Sequence, residues 1–152
     1  MIERMNEIRE LLRTQDNRLT CEPVFCVEQK RRDWGYESGY SDDYAWVNPE
    51  CDFDIVELDT EDEDEQAAIA KFEEAEAAGE ATDPWEMVHY KDRWEFVTAC
   101  FTEKGAQAYI DLNGHNLGET RIYVHSGYRN QEWIDVRAAL MGGALARAAK
   151  EE

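Results

Sequence analysis

Apolar residues at the start of the chain recur every three or four positions, as they do along one face of a helix. Turn-forming polar residues at 15–17 end this pattern. We therefore predict a helix over residues 2–14, whose apolar face consists of Ile2, Met5, Ile8, Leu11 and Leu12.

Short runs of β-branched and aromatic residues predict a sheet after this helix. Turn-forming residues, such as those at 35–41 and the Asn48-Pro49 pair, separate the first runs. Three short strands in succession favour an antiparallel meander. The predicted strands are 23–34, 44–47 and 53–58, with a further short strand at 121–124.

Residues 85–101 have the pattern that is typical of a β-hairpin. Two aromatic, β-branched runs flank a short polar stretch, Lys91-Asp92-Arg93. We therefore expect two antiparallel strands joined by a turn at these three residues.

Three further helices are predicted, and with the strands they define the fold class. One spans 60–79, with an acidic first turn and Gly79 as its stop. The next begins after Thr102, and the last begins after Asn130. We expect one α+β domain over residues 1–152, with a mostly antiparallel sheet and helices packed on one of its faces.

Composition adds a strong asymmetry of charge to this picture. Residues 37–86 contain 19 Asp and Glu but a single basic residue, Lys71, whereas the rest of the chain has 16 acidic and 15 basic residues. Such a surface repels nucleic acid and attracts basic partners. The apolar positions of the helix at 60–79 are few, which leaves open whether this acidic segment is ordered or partly mobile.

The carboxylates of this segment are the candidate partner-binding residues. Spaced along a helix and a sheet edge, they can imitate the phosphates of a duplex, which carries one charge per ~1.7 Å of axis. The expected target is a basic, nucleic-acid-binding host protein. The alternative is a solvated charged surface that serves solubility alone. The candidates are Asp42, Asp43, Asp52, Asp54, Glu57, Asp59, Glu61, Asp62, Glu63, Asp64 and Glu65.

Aromatic residues are interleaved with the first of these acids, and they admit two interpretations. They could form an exposed anionic-aromatic interaction patch, or they could be half-buried sheet residues. The residues concerned are Trp34, Tyr36, Tyr40, Tyr44 and Trp46.

A second cluster of polar residues supports an alternative hypothesis, that of a small enzyme or ligand-binding protein. His115 or His125 could act as a general base, with Tyr123 beside them and Arg129 binding an anion. The same stretch also has the composition of ordinary turns and caps. It contains no recognisable order of nucleophile, base and orienting group. We therefore expect a binding protein rather than an enzyme, with no catalytic residue assigned.

Metal and cofactor sites are not expected. Cys21, Cys26, Cys51 and Cys100 lack the paired C-x2-C spacing of zinc sites, and the acidic run at 59–65 lacks the ligand pattern of an EF-hand loop. The common nucleotide-binding and metalloprotease motifs are absent. We predict that the protein folds without zinc.

Both ends of the chain resemble small acidic proteins encoded by bacteriophages and prophages of Gram-negative bacteria, most of which have no assigned function. This resemblance implies a biological setting, that of a phage protein in a bacterial host, but no catalytic residues. Together with the acidic surface, this setting favours a role in host interaction or anti-defence. The absence of a signal-peptide pattern and of a long apolar run agrees with a cytoplasmic protein. The resembling blocks are 14–18, 23–27 and 29–32 near the N-terminus, and 95–105, 109–117, 121–123 and 126–130 in the C-terminal third.

Overall fold

The computed structural model describes residues 2–51 and 54–142 of the chain. Its helices are α1 (Ile2–Thr14), α2 (Glu63–Ala78), α3 (Glu103–Asn113) and α4 (Gln131–Gly142), with short 3-10 helices at Ser38–Tyr40 and Gly114–Asn116. Its strands are β1 (Pro23–Trp34), β2 (Asp43–Asn48), β3 (Asp54–Glu57), β4 (Glu86–Cys100) and β5 (Thr120–Ser126). None of the described helices has the length and apolar character needed to span a membrane.

The five strands form one antiparallel sheet in the order β3-β2-β4-β1-β5, and the predicted α+β class is confirmed. β2 pairs with β3 in the register Val47 to Ile55, and with β4 in the register Ala45 to Val88. β1 pairs with β5 in the register Phe25 to Val124. The chain divides into two compact units: unit 1 is Met1–Lys30 with Trp94–Glu152, and unit 2 is Arg31–Arg93.

In unit 1, α3 covers one patch of the sheet. Phe25, Val27 and Ala106 are completely buried, and Val97 and Ile122 pack around them with other half-buried residues. Thr102 begins α3 as the sequence predicts, because its hydroxyl accepts a hydrogen bond from the Gly105 N–H at 3.0 Å. Asn130 caps α4 in the same way through the Trp133 N–H, at 3.1 Å.

In unit 2, α2 covers the sheet face that carries Trp46. The Trp46 side chain is completely buried and packs with Val56 and with Ile69 of α2. Phe72, from the next turn of α2, lies between two indole rings, with centroid distances of 5.1 Å to Trp46 and 5.3 Å to Trp85. Two residues of α2 are therefore enough to anchor the helix, because each contacts large aromatic surfaces.

The predicted hairpin at residues 85–101 is wrong, because the segment forms the single strand β4. A tight hairpin turn needs residues with positive φ, and none of Lys91, Asp92 or Arg93 has one. Ion pairs hold this stretch to β1 instead: Arg32 donates two hydrogen bonds to Asp92, at 2.8 and 3.1 Å, and Arg93 donates one to Asp33, at 2.8 Å. The polar stretch in the middle of β4 is thus a set of cross-strand partners.

Replacing Asp92-Arg93 with Asn-Gly should destabilise the protein by at least about 2 kcal/mol, because glycine disfavours a strand and two ion pairs are lost. A hairpin would tolerate or prefer the same change, since Asn-Gly is the favoured two-residue turn. Urea unfolding monitored by tryptophan fluorescence measures the difference. The single change Arg93→Thr, which removes one ion pair but keeps a strand-forming residue, should cost about 1 kcal/mol or less.

Candidate partner-binding surface

α2 carries six of the 19 acidic residues of the segment 37–86, and most of its surface is open to solvent. Asp62 begins the helix by accepting hydrogen bonds from the N–H groups of Asp64 and Glu65, and Gly79 ends it in the left-handed conformation with φ 71°. Ile69 is the only buried residue that α2 contributes, and Phe72 is half-buried beside it. Most of the helix surface is therefore available to a partner.

Six carboxylates lie along the 16 residues of α2, with Lys71 the one basic residue among them. A helix of this length extends about 24 Å, so the mean spacing along its axis is ~4 Å per carboxylate. The phosphates of one nucleic-acid strand follow each other at ~3.4 Å along the axis. Averaged over the helix, the density of carboxylates is thus close to that of phosphates in a single strand. The carboxylates stand in two groups of three, one in the first turn and one in the last third of α2, about 12 Å apart along the axis with Lys71 between them. The six carboxylates are Glu63, Asp64, Glu65, Glu73, Glu74 and Glu76.

Four of the acids that the sequence suggested as partner-binding residues have intramolecular roles. Asp42 accepts a hydrogen bond from the Asp92 N–H at 3.0 Å, and Glu57 accepts one from Arg32 at 2.7 Å. Asp62 is the cap of α2, and Glu65 accepts a hydrogen bond from the Thr60 hydroxyl. These side chains help to hold unit 2 together, and they are poor positions at which to test partner binding.

The remaining candidates are exposed, apart from one that lies outside the described residues. Asp43 is exposed on β2, where its carboxylate accepts a hydrogen bond from the Tyr44 N–H at 2.9 Å. Asp54, Asp59, Glu61, Glu63 and Asp64 are exposed at the end of β3, in the following loop and in the first turn of α2. Asp52 is not among the described residues.

The acids of the second half of α2 were not among the candidates that the sequence suggested. Glu74 and Glu76 are exposed, and Glu73 is exposed while it accepts a hydrogen bond from the Tyr44 hydroxyl at 2.7 Å. The signal was present, because the predicted helix already extended to residue 79. These three acids lengthen the anionic surface from the first turn of α2 to its last.

The Tyr44–Glu73 hydrogen bond links β2 to α2 and makes stability depend on pH. This hydrogen bond is the main cause that raises the pKa of Tyr44 to about 12, and partial burial adds to it. Tyr44 also packs against His89, with a ring-centroid distance of 5.6 Å. The protonated phenol is therefore the form that the folded protein stabilises.

We expect the free energy of unfolding to decrease between pH 10 and about 12, in part because Tyr44 titrates in this range. Its folded pKa is raised, so the stabilisation is fully present below the unfolded pKa of ~10 and is lost as pH rises through the folded value. Tyr44→Phe should be less stable at pH 8 and should lose less stability on going to pH 11.5. Urea midpoints at the two pH values measure this, and equal losses in both proteins would contradict it.

The aromatic residues near the first acids do not form one patch. Trp46 is completely buried and Tyr44 is half-buried, whereas Tyr40 is 72% exposed. Trp34 and Tyr36 are exposed to about the same extent, 40% and 38%. Tyr44 and Trp46 on β2 are therefore sheet residues that are half-buried or buried, whereas Trp34, Tyr36 and Tyr40 are exposed. An interaction role of these three residues stays a prediction.

The residues of the alternative ligand site are distributed over three places in unit 1. His115 is exposed in the 3-10 helix after α3, where its ring is 2.8 Å from the Asn116 amide. Arg129 is exposed in the turn before α4, with its guanidinium 5.1 Å from the Tyr128 ring. Tyr123 and His125 lie on one face of β5 with a ring-centroid distance of 4.7 Å.

Of these four residues, the structure brings only Tyr123 and His125 into contact with each other, and it adds two charged neighbours. Glu28 of β1 accepts a hydrogen bond from Arg121 at 2.7 Å and lies 3.8 Å from the His125 ring nitrogen Nε2. The groove beside Tyr123 has a volume of about 450 Å³ and is lined by residues of β5 and of the 18–20 loop. His115, His125 and Arg129 do not line it.

Two of the four cysteines are shielded from solvent, which disfavours the reactive thiolate form of these two side chains. Burial raises the pKa of the Cys26 and Cys100 thiols, while Cys21 and Cys51 are exposed. In the part of the chain that the structure describes, no group of three or more His, Cys, Asp and Glu residues is placed to hold a metal ion. The prediction that folding needs no zinc stays a prediction.

Comparison of the chain with protein-family models, with curated proteins and with solved structures gives no match.

Proposed function

We propose that this chain is a non-enzymatic accessory protein of a bacteriophage or prophage, and that it binds a basic host protein through the acidic surface of α2. A protein that itself binds nucleic acid is the natural partner, because its binding surface is already adapted to closely spaced negative charges. Occupying that surface would inhibit or modulate the host protein, as an anti-defence factor does.

The observation that carries the proposal is the way α2 is anchored. Ile69 and Phe72 hold the helix on the sheet. The helix carries six carboxylates in two groups of three, and their mean density along the axis is close to that of phosphates in one strand. A charged surface that served solubility alone would not need a helix anchored on the sheet, because charged residues on loops increase solubility equally well. The support fixes the carboxylates relative to each other, which reduces the entropy that a complex must lose.

The charge of this surface also predicts how association depends on salt. The concentrated negative field steers a basic protein into encounter and repels DNA and RNA. Screening over a Debye length of ~8 Å at physiological salt should weaken the complex as salt increases. The isolated protein should therefore bind no nucleic acid at any salt concentration.

A pair of variants tests the proposal in a pull-down from bacterial lysate at low and high salt. The helix-neutralised variant carries Glu63→Gln, Asp64→Asn, Glu74→Gln and Glu76→Gln, which leaves the Asp62 cap, Glu65 and Glu73 intact. The control variant removes the same number of charges from exposed positions of unit 1 through Glu3→Gln, Glu10→Gln, Asp111→Asn and Glu132→Gln.

We expect the wild-type protein and the control variant to capture the same basic protein at low salt, and the helix-neutralised variant to capture much less of it. Equal capture by all three proteins would overturn the proposal, because α2 would then be only a solvated helix. Equal loss in both variants would overturn it too, since net charge rather than its position on α2 would then explain the capture.

A further inference from the structure

The face of the unit 2 sheet opposite α2 carries an apolar groove. Trp34, Val47, Ile55 and Val88 line it, one from each of four strands, and its volume is about 340 Å³. This lies at the lower end of the ~300–1,000 Å³ range of ligand pockets. Ile55 and Trp34 are 39% and 40% exposed, so large apolar side chains remain in contact with water at its walls.

The strand register shows that the groove and α2 lie on opposite faces. Val47 is directly opposite Ile55 on β3, so these two side chains share a face. Trp46 precedes Val47 and Val56 follows Ile55, so these two side chains point to the other face, where they contact α2. α2 therefore cannot cover the groove.

Carboxylates share the groove's face of the sheet. Glu86 is directly opposite Val47, and Glu57 is directly opposite Ala45, whose other partner is Val88. Asp43 of β2 is directly opposite Tyr90 of β4, two residues along each strand from the Ala45–Val88 pair. Glu86 and Asp43 are exposed, and Glu57 is partly exposed. The apolar groove is thus bordered by negative charge.

The basic residue nearest to these carboxylates along the face is engaged within the protein. Arg32 donates two hydrogen bonds to Asp92 and one to Glu57, and its guanidinium lies 3.6 Å from the centroid of the Tyr90 ring. Trp34 packs edge-on against Tyr90, with a ring-centroid distance of 5.3 Å. This network fixes Trp34, which forms one wall of the groove. Glu86 and Asp43 are exposed to solvent.

We infer that the apolar groove binds a basic amphipathic segment of the partner protein, whose large apolar side chain fills the groove and whose Lys or Arg residues contact Glu86 and Asp43. The inference rests on the proposed function in taking the partner to be basic. The field of α2 and its neighbours steers the partner to unit 2, and the groove supplies the desolvated anchor that gives such interfaces most of their affinity.

Charge complementarity selects this occupant over two others. A second copy of the chain would bring another segment with 19 acids and one Lys towards the same face, and like charges would repel it. A neutral apolar small molecule would use the groove but would gain nothing from the bordering carboxylates. A basic amphipathic segment uses both features at once.

Fluorescence anisotropy with a labelled synthetic peptide of alternating lysine and leucine tests the inference. Two matched peptides serve as controls, one with serine in place of leucine and one with glutamate in place of lysine. We expect the wild-type protein to bind the Lys/Leu peptide at least tenfold more tightly than the Lys/Ser peptide, and not to bind the Glu/Leu peptide. Equal affinity for the Lys/Leu and Lys/Ser peptides would overturn the inference.

Variants of the groove then separate its contribution from that of α2. Ile55→Ser removes an exposed apolar wall and should reduce affinity for the Lys/Leu peptide at least tenfold. Glu86→Gln, which leaves the groove intact, should reduce it about threefold and flatten its salt dependence. Near-ultraviolet circular dichroism of the tryptophans verifies that each variant is folded. Unchanged affinity in both variants would overturn the inference.

The same measurements distinguish failure of this inference from failure of the proposed function. If the helix-neutralised variant loses the partner in the pull-down while Ile55→Ser retains both partner and peptide, the proposed function stands and the groove is not the anchor. If neither variant loses the partner, both proposals fail. A concentration-dependent dimer in sedimentation velocity that Ile55→Ser abolishes would replace the inferred occupant with a second copy and overturn it.

Discussion

Trp46→Ala should destabilise the protein by about 3–5 kcal/mol, the usual cost of truncating a large aromatic residue in a core. The Trp46 side chain is completely buried and packs on Val56, Ile69 and Phe72. Its loss would leave a cavity beneath α2 and remove the surface on which that helix is anchored. The free energy of unfolding of a small domain is only ~5–15 kcal/mol, so the variant would lose a large part of its stability.

Trp46→Phe is the matched control for this prediction. The indole N–H of Trp46 is buried and has no hydrogen-bond acceptor among the described residues, so its removal loses no hydrogen bond. The smaller ring should cost about 1–2 kcal/mol, through lost volume alone. Guanidinium unfolding of the two variants gives the comparison. An equal loss in both would contradict the packing role and would indicate that the N–H has a partner.

Arg32→Ala should destabilise the protein by about 2–3 kcal/mol, because hydrogen bonds between charged groups and a close contact with an aromatic ring are lost together. Arg32 is mostly shielded and bonds Asp92 and Glu57, with its guanidinium over the Tyr90 ring. The hydrogen bond to Asp92 is the chief cause that raises the pKa of Arg32, so the side chain stays charged at every accessible pH.

Arg32→Lys isolates the geometry of this network from its charge. Lysine keeps the positive charge but cannot donate two parallel hydrogen bonds to Asp92 or stack as a plane on Tyr90. We expect it to recover less than half of the stability that Arg32→Ala loses, as measured by urea unfolding. A lysine variant as stable as the wild-type protein would show that charge alone accounts for the contribution of Arg32.

The elements that depend on local chemistry could be predicted from the sequence. The caps at Thr102 and Asn130 and the stop at Gly79 each act within a few residues of the chain, and the structure confirms all three. The prediction for 85–101 failed because the partners of Asp92 and Arg93 are on β1, about 60 residues away. A polar stretch flanked by strand formers is a turn in one context and a row of ion pairs in another.

The dependence on partners that are distant along the chain also explains which site residues could be predicted. Counting charges located the acidic segment, but Asp42 and Glu57 were included although each has an intramolecular partner on another strand. The apolar groove was missed because its four residues come from four strands and share a face only through the register. On β2, Ala45, Trp46 and Val47 are all buried, so alternation gave no signal of which face was open.

Unit 2 therefore has two different surfaces that the proposed basic partner would contact. On one face of the sheet, α2 carries two groups of three carboxylates, which would attract a basic partner at long range but would bury little surface of that partner. On the other face, the apolar groove offers burial beside Glu86 and Asp43. Attraction should govern the association rate, and burial in the groove should govern dissociation.

The affinity for the basic protein captured from lysate, measured by isothermal titration at several salt concentrations, tests the central claim most directly. We predict that the helix-neutralised variant binds at least tenfold more weakly than the wild-type protein at low salt, with a flatter dependence of log Kd on log salt. The control variant, with the same net charge, should bind within about threefold of wild type, because its changes lie away from α2. Equal affinity and equal salt dependence of the two variants would contradict the claim that the carboxylates of α2 form the binding surface.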